Sequence, residues 1–378
     1  MSIDTKPVPD DEFCELDRDV KPVIDNWLNR DFHNAFALFE RMALALCIDL
    51  ANHYSWQRLE GFSFDECALD IGVPDSKRHL LRCVLRILSE HDCMSLNHGV
   101  WKSPRSFPSL SFAALSKQAS QQFPDEPLFQ LLIHCADQMT DVLEGKKTGL
   151  QVIFPRGDQT LWTALHDRSM FVAPHADLAA TAVAALMSPR THVFEMGAGT
   201  GSTTRRILAK IHHGDLLRYT WTDLASRFVQ SARETFHHTP NFHAIKFDMD
   251  GELLEQGADK NSVDIVVAVN TLHAAEDLNR TLRLVYEILR PGGWLVLGEG
   301  SPPGPQSIWR GELILGMIDG WWDVKCDPIY RPTSGFLLTE HWMTSFDRSG
   351  FVDVATRPEY TRDEKRFGGV YLARKPWS

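Results

Sequence analysis

Hydrophobic positions follow a helical rhythm through the first half of the chain and a strand rhythm through the second. In "NAFALFERMALALCIDL", from Asn34 to Leu50, apolar residues recur every three to four positions, and the same period returns in "HLLRCVLRILSEH" around Leu80 to Leu88. The second of these helices follows "GVPDSK", where Asp75 or Ser76 would cap it, and runs into "DCMSLNHGVWKSP", a short hairpin closing on Asn97-His98-Gly99. Further helical stretches, "QLLIHCADQMTDVLEGKKTGL" and "DLAATAVAALMSP", flank "QVIFPRGD" and read as lid and connector helices. The Ser/Pro-rich "KSPRSFPSLS" near Ser103 marks a boundary between subregions. From His192 the pattern alternates between strand and helix. "HVFEM", "RYTWTD", "FHAIKFD", "VDIVVAVN" and "GWLVLGE" are strand candidates, and "VDVATRP" and "GGVYLARK" would pair as a closing antiparallel hairpin. The expected architecture is α/β: a Rossmann-like, doubly wound sheet over residues 188–378, a helical winged-helix-like cap and lid over 21–187, and a flexible tail over 1–20.

The 378 residues are 43% hydrophobic and 24% charged, enough apolar material for two cores. A formal charge of -11 argues against nucleic acid as the partner, because phosphate neutralisation needs a basic face. The helix-helix-hairpin order of the front part would suit DNA reading, but the acidic balance favours a packing or dimerisation unit attached to an enzyme, so a homodimer is expected. "MSIDTKPVPDDEFCELD" lacks an apolar leader, and no run of eighteen apolar residues occurs, so a cytoplasmic protein without membrane association is expected. Seven scattered cysteines form no C-x-x-C pair, and His212-His213 and His237-His238 lack metal-ligand spacing. No metal site is expected.

Candidate chemistry starts at "VFEMGAGTGSTTRRIL". Glu195, Gly197, Gly199 and Gly201 follow a strand and open a helix, where glycines permit a tight turn and close approach of backbone to a ligand. The spacing is neither that of a dinucleotide loop nor that of a phosphate loop, and Glu195 would repel a phosphate while suiting a cationic ligand. S-adenosylmethionine carries a sulfonium and an ammonium. The next strand ends in Asp223, followed by Leu224, where a ribose diol could be held. The third ends in Phe247-Asp248, a ring and an acceptor for adenine, with Met249 beside them. Asn270 ends the fourth. The alternative is a purely structural turn.

"EMGAGTGSTT", "YTWTDL", "FDMD", "NTLHAAEDLNRTLRLVYEILRPGGWLVLGE" and "GMIDGWWD" resemble class I S-adenosylmethionine-dependent methyltransferases, and specifically the C-methyltransferase domains embedded in polyketide synthases. The resemblance covers roughly the last two thirds of the chain. It implies S-adenosylmethionine as cofactor, S-adenosylhomocysteine as product, and a small-molecule or carrier-protein-bound acyl substrate. It also implies a catalytic pair formed by His273 and Glu299. That family usually shows Tyr where His166 stands and Asn where His175 stands, both near the expected substrate entrance. The Pro/Gly-rich "GEGSPPGPQSIW" is a further departure.

Carbon methylation needs a base to remove an acidic proton next to a carbonyl, and a neutral histidine suits that task. If the strands before His273 and Glu299 are neighbours, their ends lie about 5 Å apart, within reach of a His-Glu hydrogen bond. The plainer alternative is that His273 caps the helix "AAEDLNRTLRLVYEIL". Trp321 and Trp322 could wall a substrate pocket, or simply pack in a core. Competing functions are an O- or N-methyltransferase, an enzyme closing the aminocarboxypropyl chain of the cofactor on itself with release of methylthioadenosine, and a non-enzymatic winged-helix interaction protein.

Overall fold

The computed structural model describes residues 10–252, 256–305, 307–359 and 367–377. Its described residues form two compact units: one runs up to Leu28 and comprises Val172–Ser301 and everything from Val324 on, and the other comprises Asn29–Phe171 and Pro302–Asp323.

The helical unit is built around Arg30–His53, a 24-residue helix capped by Asn29, whose side chain accepts from Phe32 N. A three-stranded sheet orders β1 (Phe62–Ser63), β3 (Val100–Lys102) and β2 (Ser95–Asn97) as β1-β3-β2. The β2–β3 turn falls where the sequence places it, with His98 and Gly99 both at positive φ (50° and 81°), the backbone signature of a tight hairpin turn. The Arg78–Glu90 helix has no side-chain cap. Asp75–Lys77 forms a 3₁₀ turn ahead of it, so neither Asp75 nor Ser76 takes the expected capping role. The turn is tied instead by Lys77, whose buried Nζ donates to the Met317 carbonyl at 2.7 Å and pairs with Asp319. Arg310, 3% exposed, lies between Glu40 (3.1 Å) and Glu90 (2.7 Å), so this buried cation is doubly paired.

The other unit carries a seven-stranded sheet. Its strands are β4 (Thr191–Met196), β5 (Leu216–Asp223), β6 (Phe242–Lys246), β7 (Val263–Val269), β8 (Leu289–Glu299), β9 (Val352–Arg357) and β10 (Gly369–Arg374). Their order is β6-β5-β4-β7-β8-β10-β9, with β4 to β8 parallel and β10 antiparallel to both neighbours. The fold is therefore the Rossmann-like sheet with a closing antiparallel hairpin. β7, "VDIVVAV", is an almost unbroken apolar run because both of its faces are covered. Leu282, Val285 and Ile288 pack on the sheet with Trp342, Phe346 and Tyr371. Ala173–Leu186 packs against β7, β8, β10 and the Ser202–Lys210 helix. Alanines let it approach closely: a Cβ on Gly298 would lie 2.8 Å from the His175 carbonyl. Its sequence reads as an amphipathic lid or connector helix. In the structure it belongs to the sheet unit.

Asp10–Trp27 is helical and packs against the same Ala173–Leu186 helix, burying Leu16, Val20 and Trp27. The stretch from Asp10 to Val20, read from its polarity as tail, is thus the start of an amphipathic helix; the first nine residues lie outside the described residues. Among the described residues no single helix is long and apolar enough to cross a membrane.

Candidate functional site

Parallel strands on either side of β4 run away from it in opposite sequence directions, which opens a crevice at their carboxyl ends. There a pocket of about 250 Å³ is lined by residues from the ends of β4, β5 and β7 and from the segment after β6. Gly197, Asp223, Leu224, Phe247, Asp248, Met249 and Asn270 all contribute. The glycine turn has the left-handed backbone the spacing implies, with φ of 64°, 55° and 73° at Gly197, Gly199 and Gly201. At Gly197 a Cβ would sit 2.3 Å from Thr271 Cγ2, so only glycine lets the turn lie against the end of β7.

Asp223 serves both the turn and the pocket. One carboxylate oxygen accepts from Gly199 N at 2.9 Å and the other from Ala225 N at 2.8 Å. Burial pushes its carboxyl above the ordinary range, and those two amides pull it partly back. Leu224 is an exposed leucine at the pocket rim, and Phe247 is a buried ring set edge-on to Phe194. A carboxylate, a leucine, an aromatic ring and a second acid at adjacent strand ends suit the ribose and adenine of S-adenosylmethionine.

Glu195 differs from expectation. Its Oε2 accepts from Thr204 Oγ1 and Tyr219 Oη, both at 2.6 Å, and it is not among the residues lining the pocket. Burial raises its carboxyl to about 7 against the opposing pull of the two hydroxyls. Through Oε2, Glu195 braces β4 against β5 and the following helix. Strand alternation gives no hint of this, because Tyr219 and Thr204 are brought to it by tertiary structure.

His273 and Glu299 meet. β7 and β8 are adjacent, and His273 Nδ1 lies 2.6 Å from Glu299 Oε2, both residues buried. Glu299 Oε1 also accepts from Thr271 N at 2.9 Å and His273 N at 3.3 Å. His273 occupies its own 3₁₀ turn, Leu272–Ala274, and the following helix, Leu278–Ile288, is capped by Asp277. The helix-cap alternative is therefore set aside. Asn270 and Thr271 before that turn and Ala274 at its end line the pocket. Two neighbours carry no local sequence signal. Phe336 stacks on the imidazole with centroids 4.3 Å apart. Arg331, fully buried, donates to the carbonyls of Ala275 (2.9 Å) and His273.

The remaining expected residues are divided between the units. His175 lies in the sheet unit, 2% exposed, with Nδ1 3.1 Å from the Asn270 amide oxygen. His166, Trp321 and Trp322 lie in the helical unit. His166 Nδ1 donates to Trp162 O at 2.9 Å. Trp322 is buried, donates to Gly316 O at 3.1 Å and stacks on His79, which is the packing role. Trp321 meets Trp322 edge-on.

His175 carries a stability consequence. Burial depresses its imidazole from 6.5 to about 4. A depressed pKa stabilises the fold above the unfolded value, and that contribution is lost as pH falls from about 6.5 through about 4; in full it amounts to roughly 3 kcal/mol. His175→Asn should therefore flatten the fall in melting temperature over that interval, as differential scanning calorimetry at several pH values would read. An unchanged slope would refute the assignment.

Residues 194–295 match the methyltransferase domain family. Over 249 residues, 63% of the chain, the sequence is 34% identical to the hybrid PKS-NRPS synthetase iliA of Neonectria sp. (strain DH2), spanning 6% of that synthetase's length. The CurJ carbon methyltransferase shares 27% identity, superposes with a TM-score of 0.85, and covers 96% of this chain and 98% of its own. CalH, a trans-methyltransferase solved in complex with SAH, is 22% identical with a TM-score of 0.65 over 91% of each chain, a likeness of fold. Joined to the sheet order and the pocket at the strand ends, these likenesses place a methyltransferase domain at residues 194–295 and make the chain similar in sequence and fold to a carbon methyltransferase and to one part of a polyketide synthetase.

Proposed function

We propose that the chain methylates an acidic carbon beside a carbonyl in a polyketide-like or keto-acid substrate, free or carrier-bound, with His273 as general base and Glu299 as its partner. The supporting observation is the 2.6 Å contact between His273 Nδ1 and Glu299 Oε2, in a buried turn flanked by pocket-lining residues. When bound, S-adenosylmethionine supplies a methyl group activated by a sulfonium. The protein's own work is to prepare the carbon. With its Nδ1–H donated to Glu299, neutral His273 keeps the Nε2 lone pair for the substrate proton. The imidazolium then formed is stabilised by the Glu299 carboxylate and by the face of Phe336. Arg331 fixes the backbone of the turn through the His273 and Ala275 carbonyls.

The test is incubation of the purified protein with methyl-labelled S-adenosylmethionine and a β-ketoacyl thioester. The expected products are S-adenosylhomocysteine and a thioester labelled on the carbon between its carbonyls. Label on oxygen or nitrogen, or methylthioadenosine in place of S-adenosylhomocysteine, would refute the reading.

Asp223→Ala tests the ribose site. Loss of a charged acceptor costs about 1.5–3 kcal/mol, so affinity for S-adenosylhomocysteine should fall roughly tenfold to a hundredfold by calorimetry. Unchanged affinity would remove Asp223 from the site.

A further inference from the structure

His175 presents a hydrogen-bonding problem with one good solution. Nδ1 lies 3.1 Å from the side-chain amide of Asn270, and Nε2 lies 3.4 Å from the Phe367 carbonyl oxygen. The residue is 2% exposed, with the Trp27 ring edge-on at 5.3 Å. Burial keeps the imidazole neutral at physiological pH. A neutral imidazole has one N–H and one lone pair. The Phe367 carbonyl can only accept, so it takes the proton, which belongs on Nε2. Nδ1 is then an acceptor and needs a donor opposite it. An asparagine amide is nearly symmetric in shape, so its NH₂ and its oxygen can exchange places. With the oxygen against Nδ1, two lone pairs would face each other in a buried place. With the NH₂ there, both ring nitrogens are satisfied.

The Asn270 backbone is held as well. Its φ is +50° and its N–H donates to Gly298 O at 2.7 Å, so the orientation of the amide is the freedom that remains. The amide atom not facing His175 belongs to a residue that lines the pocket. Strand order tells which part of the cofactor that atom meets. Asp223 and Phe247-Asp248 stand at the ends of β5 and β6, on one side of β4, and suit the ribose and adenine; Asn270 stands at the end of β7, on the other side. With ribose and adenine on the first side, the amino-acid end of the cofactor would be left for the other. It carries an ammonium, which needs an acceptor there.

We infer that His175 is a positioning residue: it holds the Asn270 amide with its NH₂ toward the imidazole, so that the amide oxygen faces the pocket and accepts from the ammonium of the cofactor. The inference rests on the cofactor pocket described above and is independent of the base and of the substrate.

Calorimetry with two ligands tests it. S-adenosylhomocysteine has the amino-acid end and methylthioadenosine lacks it. His175→Leu should weaken S-adenosylhomocysteine about tenfold and leave methylthioadenosine within about twofold, by loss of one oriented bond to a charged group. Asn270→Asp keeps an acceptor toward the pocket, and its carboxylate lets His175 take a second proton and donate from both ring nitrogens, to the new carboxylate and to the Phe367 carbonyl. That variant should bind S-adenosylhomocysteine as tightly as the parent or more tightly. A long-range proton–nitrogen spectrum of labelled protein should show His175, identified by its absence in His175→Leu, protonated on Nε2.

Several results overturn the inference while leaving the pocket intact. These are unchanged S-adenosylhomocysteine binding in His175→Leu, a tenfold weakening in Asn270→Asp with methylthioadenosine unaffected, and an Nδ1–H tautomer in the parent. Equal loss of both ligands in His175→Leu also overturns it, because the effect would then be on the pocket as a whole. A parent protein that binds neither ligand would refute the pocket assignment itself.

Discussion

His273→Ala should lose turnover by about a hundredfold to ten-thousandfold, the usual cost of removing a general base, while affinity for S-adenosylhomocysteine stays nearly constant. The separation follows from the geometry. The residues suited to ribose and adenine stand at the ends of β5 and β6, whereas His273 sits in the turn after β7. Truncation removes one pairing with Glu299 and the stack on Phe336, yet the main-chain bonds from Thr271 and His273 to Glu299 do not depend on the imidazole. A loss of rate without a loss of binding is the pattern expected of a group that acts only on the reacting carbon. The measurements are single-turnover rates with the true substrate and calorimetric affinity for S-adenosylhomocysteine. Near-normal turnover in His273→Ala would end the base assignment, and a matching collapse of cofactor affinity would recast His273 as a structural member of the pocket.

Much of this arrangement is legible in the sequence, for a physical reason. A parallel sheet between helices imposes apolar runs on its central strands, so β4, β7 and β8 announce themselves, and the chain order of the strands places Gly197, Asp223, Phe247 and Asn270 at one edge. The pairing of His273 with Glu299 comes from the family resemblance, and the adjacency of β7 and β8 makes the contact possible. Orientation is less legible. Glu195 ends a strand like the other acids, but Tyr219 and Thr204 turn it inward. Arg331 and Phe336 come from "RPTSGF", a segment without periodicity, and reach the dyad only through the return of the chain along the sheet. His175 is recognisable as a histidine on an apolar helix, but its partner Asn270 lies 95 positions away. What the sequence encodes locally is which atoms reach the edge of the sheet. The direction in which they point is decided by residues from elsewhere.

Glu299 offers the sharpest separation of the proposed catalytic role from structural work, because one carboxylate would do both. One oxygen accepts from the main-chain N–H groups of Thr271 and His273, and the other from His273 Nδ1, at the fully buried end of β8. Glu299→Ala strips all three donors of their acceptor. At about 1–3 kcal/mol for each buried group left unpaired, the loss is on the order of 5 kcal/mol. In a protein of this size that corresponds to a fall in melting temperature of roughly 10 °C or more. Glu299→Gln behaves differently. Its amide oxygen can keep the two main-chain donors, which directs its NH₂ at Nδ1. Nδ1 must then present a lone pair, the imidazole proton moves to Nε2, and the nitrogen that should receive the substrate proton is already protonated. In a serine hydrolase the analogous loss of the correct tautomer costs about ten-thousandfold. The expected result for Glu299→Gln is a melting temperature within about 4 °C of the parent, intact S-adenosylhomocysteine binding, and turnover reduced at least about a hundredfold. Thermal melts, calorimetry and single-turnover rates on the two variants decide the matter. If Glu299→Gln keeps its fold and its turnover, the carboxylate is a structural acceptor only and His273 works without it.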